Sequence, residues 1–253
     1  MNMDELLHVA TYAGKIMLES GGETHRAEDI ILRICNVYGA EEAESFVTTT
    51  GIMVSICKKG KTYSLIRRVS RRTIDLHKID EVNALSRKIQ NSPLNLNVLY
   101  EELKLIDTVS DRYSNLTTLL ISALGAFCFV VLSKGTFRDA IAAFFVGFLI
   151  KCYGLKFPST STNQFFANSI SAGLATLFSI IFYELNFIQD VDKTIIGSIM
   201  LLVPGLTITN AIRDTIHGDL LAGLTRGAEA FLIAVSIAVG TGSVLSFWIS
   251  LTN

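Results

Sequence analysis

Apolar residues near the start of the chain recur first with helical spacing, then with a period of two, and then with helical spacing again. A helical period predicts amphipathic helices, and a period of two around a Lys-Lys-Gly-Lys turn predicts antiparallel strands. Thr24 carries a side chain suited to capping, so we expect it to be the N-cap of the second helix. The predicted elements are helices over residues 3–19, 74–91 and 95–109, a second helix that is capped by Thr24 and stopped by Gly39, and a small antiparallel sheet over residues 45–68.

From Tyr113 onward the apolar residues form long runs instead of one-sided patterns. A helix needs about 20 predominantly apolar residues to span a bilayer, and five segments approach that length. Several of these segments are marginal in length, and Lys151 interrupts the second, so the alternative is four spans plus a re-entrant piece. The fold class is therefore mixed: a cytosolic α+β domain over residues 1–112 and an all-α membrane domain over residues 113–253. The predicted spans are residues 116–133, 139–155, 165–185, 194–212 and 228–251.

The distribution of charge supports this division. Residues 1–112 hold 15 Lys/Arg and 16 Asp/Glu, whereas the remaining 141 residues hold only 7 of each. Low charge and a high apolar content are typical of membrane segments, and a net charge of −1 gives no reason to expect nucleic acid as a partner. With the acidic N-terminus inside, the inner loops hold six Lys/Arg and the outer loops three, in agreement with the positive-inside rule.

Several polar residues stand where a simple membrane anchor needs none. Asn168 lies in the third predicted span, and Pro204-Gly205 interrupts the fourth, where a broken helix exposes backbone groups. Beyond the break, spacings of three and four place polar residues on one helical face. Two interpretations stay open: a substrate or proton pathway, and a cytoplasmic loop with surface ion pairs. The residues concerned are Asn168, Pro204, Gly205, Asn210, Arg213, Asp214, His217, Asp219, Arg226 and Glu229.

The sequence does not favour an enzyme. We find no nucleophile–base pair, so no catalytic residue is predicted, and none of the four cysteines forms a C-x-x-C pair. No second His completes a metal set with His25, so no metal and no cofactor are predicted. The alternative to a transporter is a membrane-anchored binding or scaffold protein, but its spans should be plain apolar anchors.

Three segments resemble the threonine/serine exporter family. They are the stretch Ser20–Asp29, the stretch Phe46–Ser55, and a discontinuous segment from Val203 to Ala230 that contains Val-Pro-Gly, Asn-Ala-Ile-Arg-Asp and Gly-Leu-Thr-Arg-Gly-Ala-Glu. His25 stands where many relatives are expected to have an aromatic residue such as Tyr. The resemblance marks one further set, the soluble-domain motif residues Glu23, Arg26, Glu28, Asp29, Thr48 and Gly51.

The resemblance implies an exporter of small polar metabolites in the cytoplasmic (inner) membrane, driven by the proton gradient. The full-length exporter has a second membrane half that this sequence lacks, so the chain resembles the larger subunit of the split form, which is implicated in succinate export. The implied partners are the lipid bilayer, a small membrane subunit that supplies the second half, and a small-molecule substrate such as threonine, serine or a dicarboxylate. Homo- and hetero-oligomers are both compatible with this arrangement.

Overall fold

A computed structural model describes residues 2–70, 73–108, 113–156 and 163–252. The described residues form two compact units, and we treat each by itself. The first contains the chain up to Thr108 together with Leu206–Ala228, and the second contains Tyr113–Gly205 with Glu229–Thr252.

The N-terminal part of the first unit has the predicted order of elements. Two helices precede a three-stranded antiparallel sheet of order β1-β2-β3, and two helices follow it. The boundaries differ from the predicted ones by a few residues at most. The elements are α1 (Met3–Glu19), α2 (Thr24–Val37), β1 (Glu42–Thr48), β2 (Gly51–Lys58), β3 (Lys61–Arg68), α3 (Leu76–Asn91) and α4 (Leu96–Thr108).

The core of the first unit lies between the helices and one face of the sheet. Ile52, Val54 and Ile56 of β2 are buried, while Met53 between them is exposed, as a period of two requires. Both α1 and α2 contribute fully buried aliphatic side chains to this core. At Gly14 of α1 the Cδ1 atom of Ile31 occupies the space that a side chain would need, which brings the two helices close together.

The described part of the second half of the chain consists of helices and the turns that connect them. The predicted break is present: Val203 and Pro204 separate a short 3-10 turn, Met200–Leu202, from the next helix. Proline lacks the backbone donor that a continuous helix needs at this point. The helices are α5 (Asn115–Leu132), α6 (Phe137–Lys156), α7 (Gln164–Glu184), α8 (Val191–Ile199), α9 (Gly205–Ile216) and α10 (Leu220–Thr252).

Among the described helices, three are long and apolar enough to cross a membrane: α5, α7 and α10. The segments Val191–Leu202 and Gly205–Ile216 pass the same test only as an interrupted pair, which gives up to four spans. The 20-residue helix α6 carries Arg138, Asp139, Lys151 and Lys156 and is not among them. The predicted count of five therefore stays a prediction.

The two compact units differ in one respect from the two domains that we predict on either side of the boundary between residues 112 and 113. Residues 109–112 lie outside the described part of the chain, but Leu206–Ala228, which we assigned to the membrane domain, forms one compact unit with the α+β elements. The physical reason is a set of ion pairs and hydrogen bonds between this segment and the turn that joins α1 to α2.

Small residues let the helices of the second unit approach closely. Ser169 and Gly173 of α7, two small residues four apart, pack against Gly240 of α10. A side chain at Gly240 would collide with the backbone carbonyl of Ser169. Similarly, Gly147 of α6 faces the side chain of Ala126, and Gly197 of α8 faces Val130.

Replacing Gly240 tests this packing. We expect Gly240→Ala to lower the free energy of unfolding by about 1–3 kcal/mol, because the added methyl group overpacks the α7–α10 contact. Gly242→Ala is the matched control: it lies on the same helix with no atom within 4 Å of the added carbon, so it should be neutral or slightly stabilising. Thermal unfolding of the two purified variants measures the difference, and equal midpoints would contradict the packing.

Candidate functional site

One face of α9 contacts the turn that joins α1 to α2. Spacings of three and four put Asn210, Arg213 and Asp214 on this face, with His217 just beyond the end of α9. Each of them contacts a residue of the segment Gly21–His25, which contains the turn and the first two residues of α2. Two residues that follow α9, Asp219 and Arg226, complete the contact. We call this set the charged junction: Gly21–His25, Asn210, Arg213, Asp214, His217, Asp219 and Arg226. It joins two of the segments that carry the family resemblance.

Two carboxylates of the charged junction accept hydrogen bonds from the first residue of α2, one from its backbone and one from its side chain. The backbone N–H of Thr24 donates to Oδ1 of Asp214 at 3.2 Å, and the Thr24 hydroxyl donates to Oδ2 of Asp219 at 3.1 Å. The first N–H groups of a helix have no partner within the helix, and the helix dipole favours negative charge at this end. The predicted N-cap was therefore wrong by one residue: Glu23 is the N-cap, without a capping side chain, and Thr24 is the first helical residue.

Asp214 is fully buried, and its charge is balanced by Arg226. Oδ2 of Asp214 lies 3.0 Å from Nε of Arg226, whose side chain is 7% exposed. A terminal nitrogen of the same guanidinium donates to the carbonyl oxygen of Gly22 at 2.7 Å. Removing one partner of such a pair costs about 3–5 kcal/mol, because it leaves an uncompensated buried charge. Arg226 thus holds Asp214 and the α1–α2 turn together.

A second ion pair lies at the more accessible edge of the junction. The half-exposed Arg213 pairs with the buried carboxylate of Glu23, which also pairs with Arg26. Nearby, the Asn210 side chain donates to the carbonyl oxygen of Gly21 at 2.9 Å. Gly21 has a φ of +86°, a conformation that favours glycine, so the shape of the turn and the position of its carbonyl depend on this residue.

Two imidazole rings stack across the junction. The rings of His25 and His217 lie 4.0 Å apart between centroids and are inclined by only 6°. Nδ1 of His217 is 2.8 Å from the backbone oxygen of Arg213, and Nε2 of His25 is 3.7 Å from Glu23. Within the described residues, no group of three or more His, Cys, Asp or Glu side chains is placed to hold a metal ion.

Glu28, one turn along α2, is the half-buried acid beside the junction. Its Oε1 accepts a hydrogen bond from the backbone N–H of Val47 at 2.9 Å. Burial raises the pKa of Glu28, and the nearby charges of Asp219, Asp29 and Asp214 raise that pKa further, while the Val47 hydrogen bond lowers it in part. Among the predicted motif residues, Glu28 therefore has an environment suited to holding a proton.

The other predicted motif residues have different surroundings. Thr48 and Gly51 face each other in the β1–β2 hairpin, where the Thr48 hydroxyl donates to the Gly51 carbonyl oxygen at 3.2 Å. These two residues shape the turn of the sheet. Asp29 is exposed on α2.

The structure does not place all predicted pathway residues in one unit. Asn168 belongs to the second unit, where it lines a cavity of about 230 Å³ together with Ser122, Lys151 and Tyr153. Pro204 lies in the break before α9, Gly205 is the first residue of α9, and Glu229 lies in the part of α10 that belongs to the second unit. Sequence spacing identified one face of α9, but it gave no sign that Gly22, Thr24 and His25 are the partners of that face.

Comparisons with known proteins cover nearly the whole chain. The threonine/serine exporter family model, ThrE, matches residues 8–248. A Klebsiella aerogenes protein named "Probable succinate transporter subunit YjjP" is 24% identical over 92% of this chain and 90% of its own length. "Probable threonine/serine exporter" of Mycobacterium tuberculosis is 23% identical over 93% of this chain but 45% of its own length, and "Threonine/serine exporter" of Corynebacterium glutamicum is 24% identical over 94% and 50%. No solved structure gives a significant match.

The environment of Glu28 predicts a pH-dependent effect of Glu28→Gln, which removes the charge but keeps an oxygen to accept the Val47 N–H. A raised pKa in the folded protein means that ionisation of Glu28 opposes folding. This penalty is absent below the ordinary glutamate pKa of about 4.3 and grows as the pH rises through the raised value. We therefore expect the variant to unfold at a higher temperature than the wild type at pH 7, with the difference vanishing towards pH 4.

Thermal unfolding at several pH values measures this difference. Glu42→Gln, an exposed change on β1, is the control and should show no pH-dependent difference from the wild type. A Glu28→Gln variant that is less stable than the wild type at pH 7 would contradict the proposed environment.

Proposed function

The chain belongs to the threonine/serine exporter family, and from this premise we propose that it is the larger subunit of a two-subunit exporter of small carboxylate metabolites. Family membership makes it a membrane transporter and not an enzyme. We place the exporter in the inner membrane with the N-terminal α+β elements in the cytosol. A proton moving down its gradient drives export.

The lengths of the relatives support a second subunit. The chain covers about nine-tenths of the proteins named as succinate transporter subunits, but only about half of the proteins named as threonine/serine exporters. Because the relatives that the chain matches over nearly their full length are named as subunits, we propose that another polypeptide completes the exporter. A small membrane protein that supplies the missing helices is the partner we propose.

The share of each relative that the chain covers also favours a dicarboxylate such as succinate as the substrate. The relatives that this chain matches over almost their full length are the ones named for succinate. The second candidate is threonine or serine, supported by the family model and by the longer relatives. Both substrate classes carry a carboxylate, which needs a cation or hydrogen-bond donors wherever water is excluded.

The cavity of the second unit offers such groups. Lys151 supplies a cation and Asn168 an amide, beside the hydroxyls of Ser122 and Ser171. We propose that this cavity belongs to the substrate pathway. The break at Pro204-Gly205, which precedes α9, leaves backbone groups outside the regular helical pattern and adds to the same pathway.

We propose that the charged junction couples proton movement to export. Arg226 lies in the first two turns of α10, and α10 continues without interruption to Thr252 as one of the apolar helices long enough to span a membrane. A change of protonation at the junction would therefore act directly on one end of a spanning helix. We propose Glu28 and Asp219 as proton carriers and Asp214 as the acid that pairs with Arg226, with Arg213 and Glu229 as the flanking charges. A plain membrane anchor would need none of these groups.

An efflux assay tests this function. The chain is expressed with and without a candidate small membrane subunit, and cells loaded with labelled succinate or threonine are followed over time. We expect succinate efflux only when both proteins are present. Asp214→Asn should slow efflux about tenfold or more, because it weakens a buried charge-assisted interaction.

Glu101→Gln is the control variant, since it removes a carboxylate from an exposed pair on α4. Immunoblots of membranes must show equal amounts of each variant. Lys151→Gln tests the cavity separately from the junction. Absence of efflux of both substrates from cells that contain both subunits would contradict the proposed function.

A further inference from the structure

A polar pocket lies between α2 and α3 in the first unit, beside the charged junction. Its volume is about 190 Å³, many times the ~10–15 Å³ that one water molecule requires. The polar side chains that line it are His25, Arg26, Asp29, Arg33, Asn83 and Arg87.

The lining of this pocket has an excess of positive charge. Three guanidinium groups face a single carboxylate, that of Asp29, so the formal charge of the lining is +2 with His25 neutral. Arg26 pairs with Glu23, but no carboxylate pairs with Arg33 or Arg87 among the residues that the structure describes. Like charges in one pocket repel each other, and an anion between them would relieve that repulsion.

The packing of α2 against α3 holds one of these groups in place. A terminal nitrogen of Arg33 donates to Oγ of Ser86 at 2.8 Å, and this hydroxyl donates to the carbonyl oxygen of Asn83 at 2.8 Å. Ser86 is buried, so the hydrogen bonds fix the Arg33 side chain against α3. The guanidinium is thereby positioned before any ligand arrives, which reduces the entropy lost on binding.

We propose that this pocket binds a small dicarboxylate on the N-terminal unit, separately from the substrate pathway. The choice of a dicarboxylate rests on the proposed function. A planar guanidinium binds a carboxylate through two parallel hydrogen bonds, and two negative charges match the excess of the lining. A zwitterionic amino acid fits less well, because its ammonium group would lie among three guanidinium groups.

A ligand bound in this pocket would affect the charged junction, because two residues that line the pocket also contact the junction. Arg26 lines the pocket and pairs with Glu23, and His25 lines the pocket and stacks on His217. A bound carboxylate competes with Glu23 for Arg26. Glu23 is also the partner of Arg213 in α9, so occupancy of the pocket changes the balance of charge at the junction.

Calorimetric titration of the full-length chain in detergent tests this inference, with succinate, phosphate and threonine as probes. Arg87→Gln and Lys88→Gln form a matched pair: the two residues are adjacent on α3, both are exposed, and each change removes one positive charge, but only Arg87 lines the pocket. We expect Arg87→Gln and Arg33→Gln each to weaken succinate binding about tenfold or more, and Lys88→Gln to leave it unchanged within about twofold. Threonine should bind weakly or not at all.

Each outcome decides the inference. Succinate affinity that is equal in the wild type, Arg33→Gln and Arg87→Gln would overturn it, as would tighter binding of phosphate than of succinate at the same residues. The wild-type protein could export succinate in cells while its succinate binding does not depend on Arg33 and Arg87. That result would overturn the proposed binding pocket but leave the proposed exporter function standing. Arginine-dependent binding without any efflux would support the pocket and contradict the proposed function.

Discussion

The capping residue of α2 satisfies no backbone donor with its side chain, and Asp214, 190 residues further along the chain, accepts the backbone N–H of Thr24. Asp219 accepts the hydroxyl of the same threonine. The buried carboxylate of Asp214 requires a positive charge beside it, and Arg226 supplies that charge. Arg226 in turn donates to the carbonyl of Gly22, in a turn whose shape depends on the positive φ of Gly21. These interactions share residues, so each of them depends on the others being in place.

This dependence makes the charged junction a candidate for two alternative states. Adding a proton to one carboxylate, or drawing Arg26 away from Glu23, alters several interactions at once instead of one. Such a network differs from exposed ion pairs such as Lys104–Glu101, which contribute between 0 and about 1 kcal/mol and change independently of their surroundings. A transporter needs a local change of charge to have an effect on a long helix, and α10 begins within the junction.

Much of the local structure could be predicted from the sequence, because hydrophobic periods of 3.6 and 2 are local signals. They identified α1 and the three strands, and the helical interruption at Pro204 followed from the missing backbone donor. The polar face of α9 was also predicted from spacings of three and four. Its partners were not, since a side-chain spacing does not indicate which distant backbone donor will need an acceptor. For the same reason Thr24 was expected to cap its own helix, whereas its hydroxyl donates to Asp219.

The central claim is that the start of α2 and the face of α9 are energetically coupled, and a double-mutant cycle on Glu23 and Arg213 measures this coupling most directly. The cycle compares the unfolding free energies of Glu23→Gln, Arg213→Gln, the double variant and the wild type in one detergent. A coupling free energy of about 1 kcal/mol or more is predicted, because Glu23 is buried although Arg213 is half exposed. Effects that add within about 0.3 kcal/mol, as expected for distant and independent sites, would contradict the account.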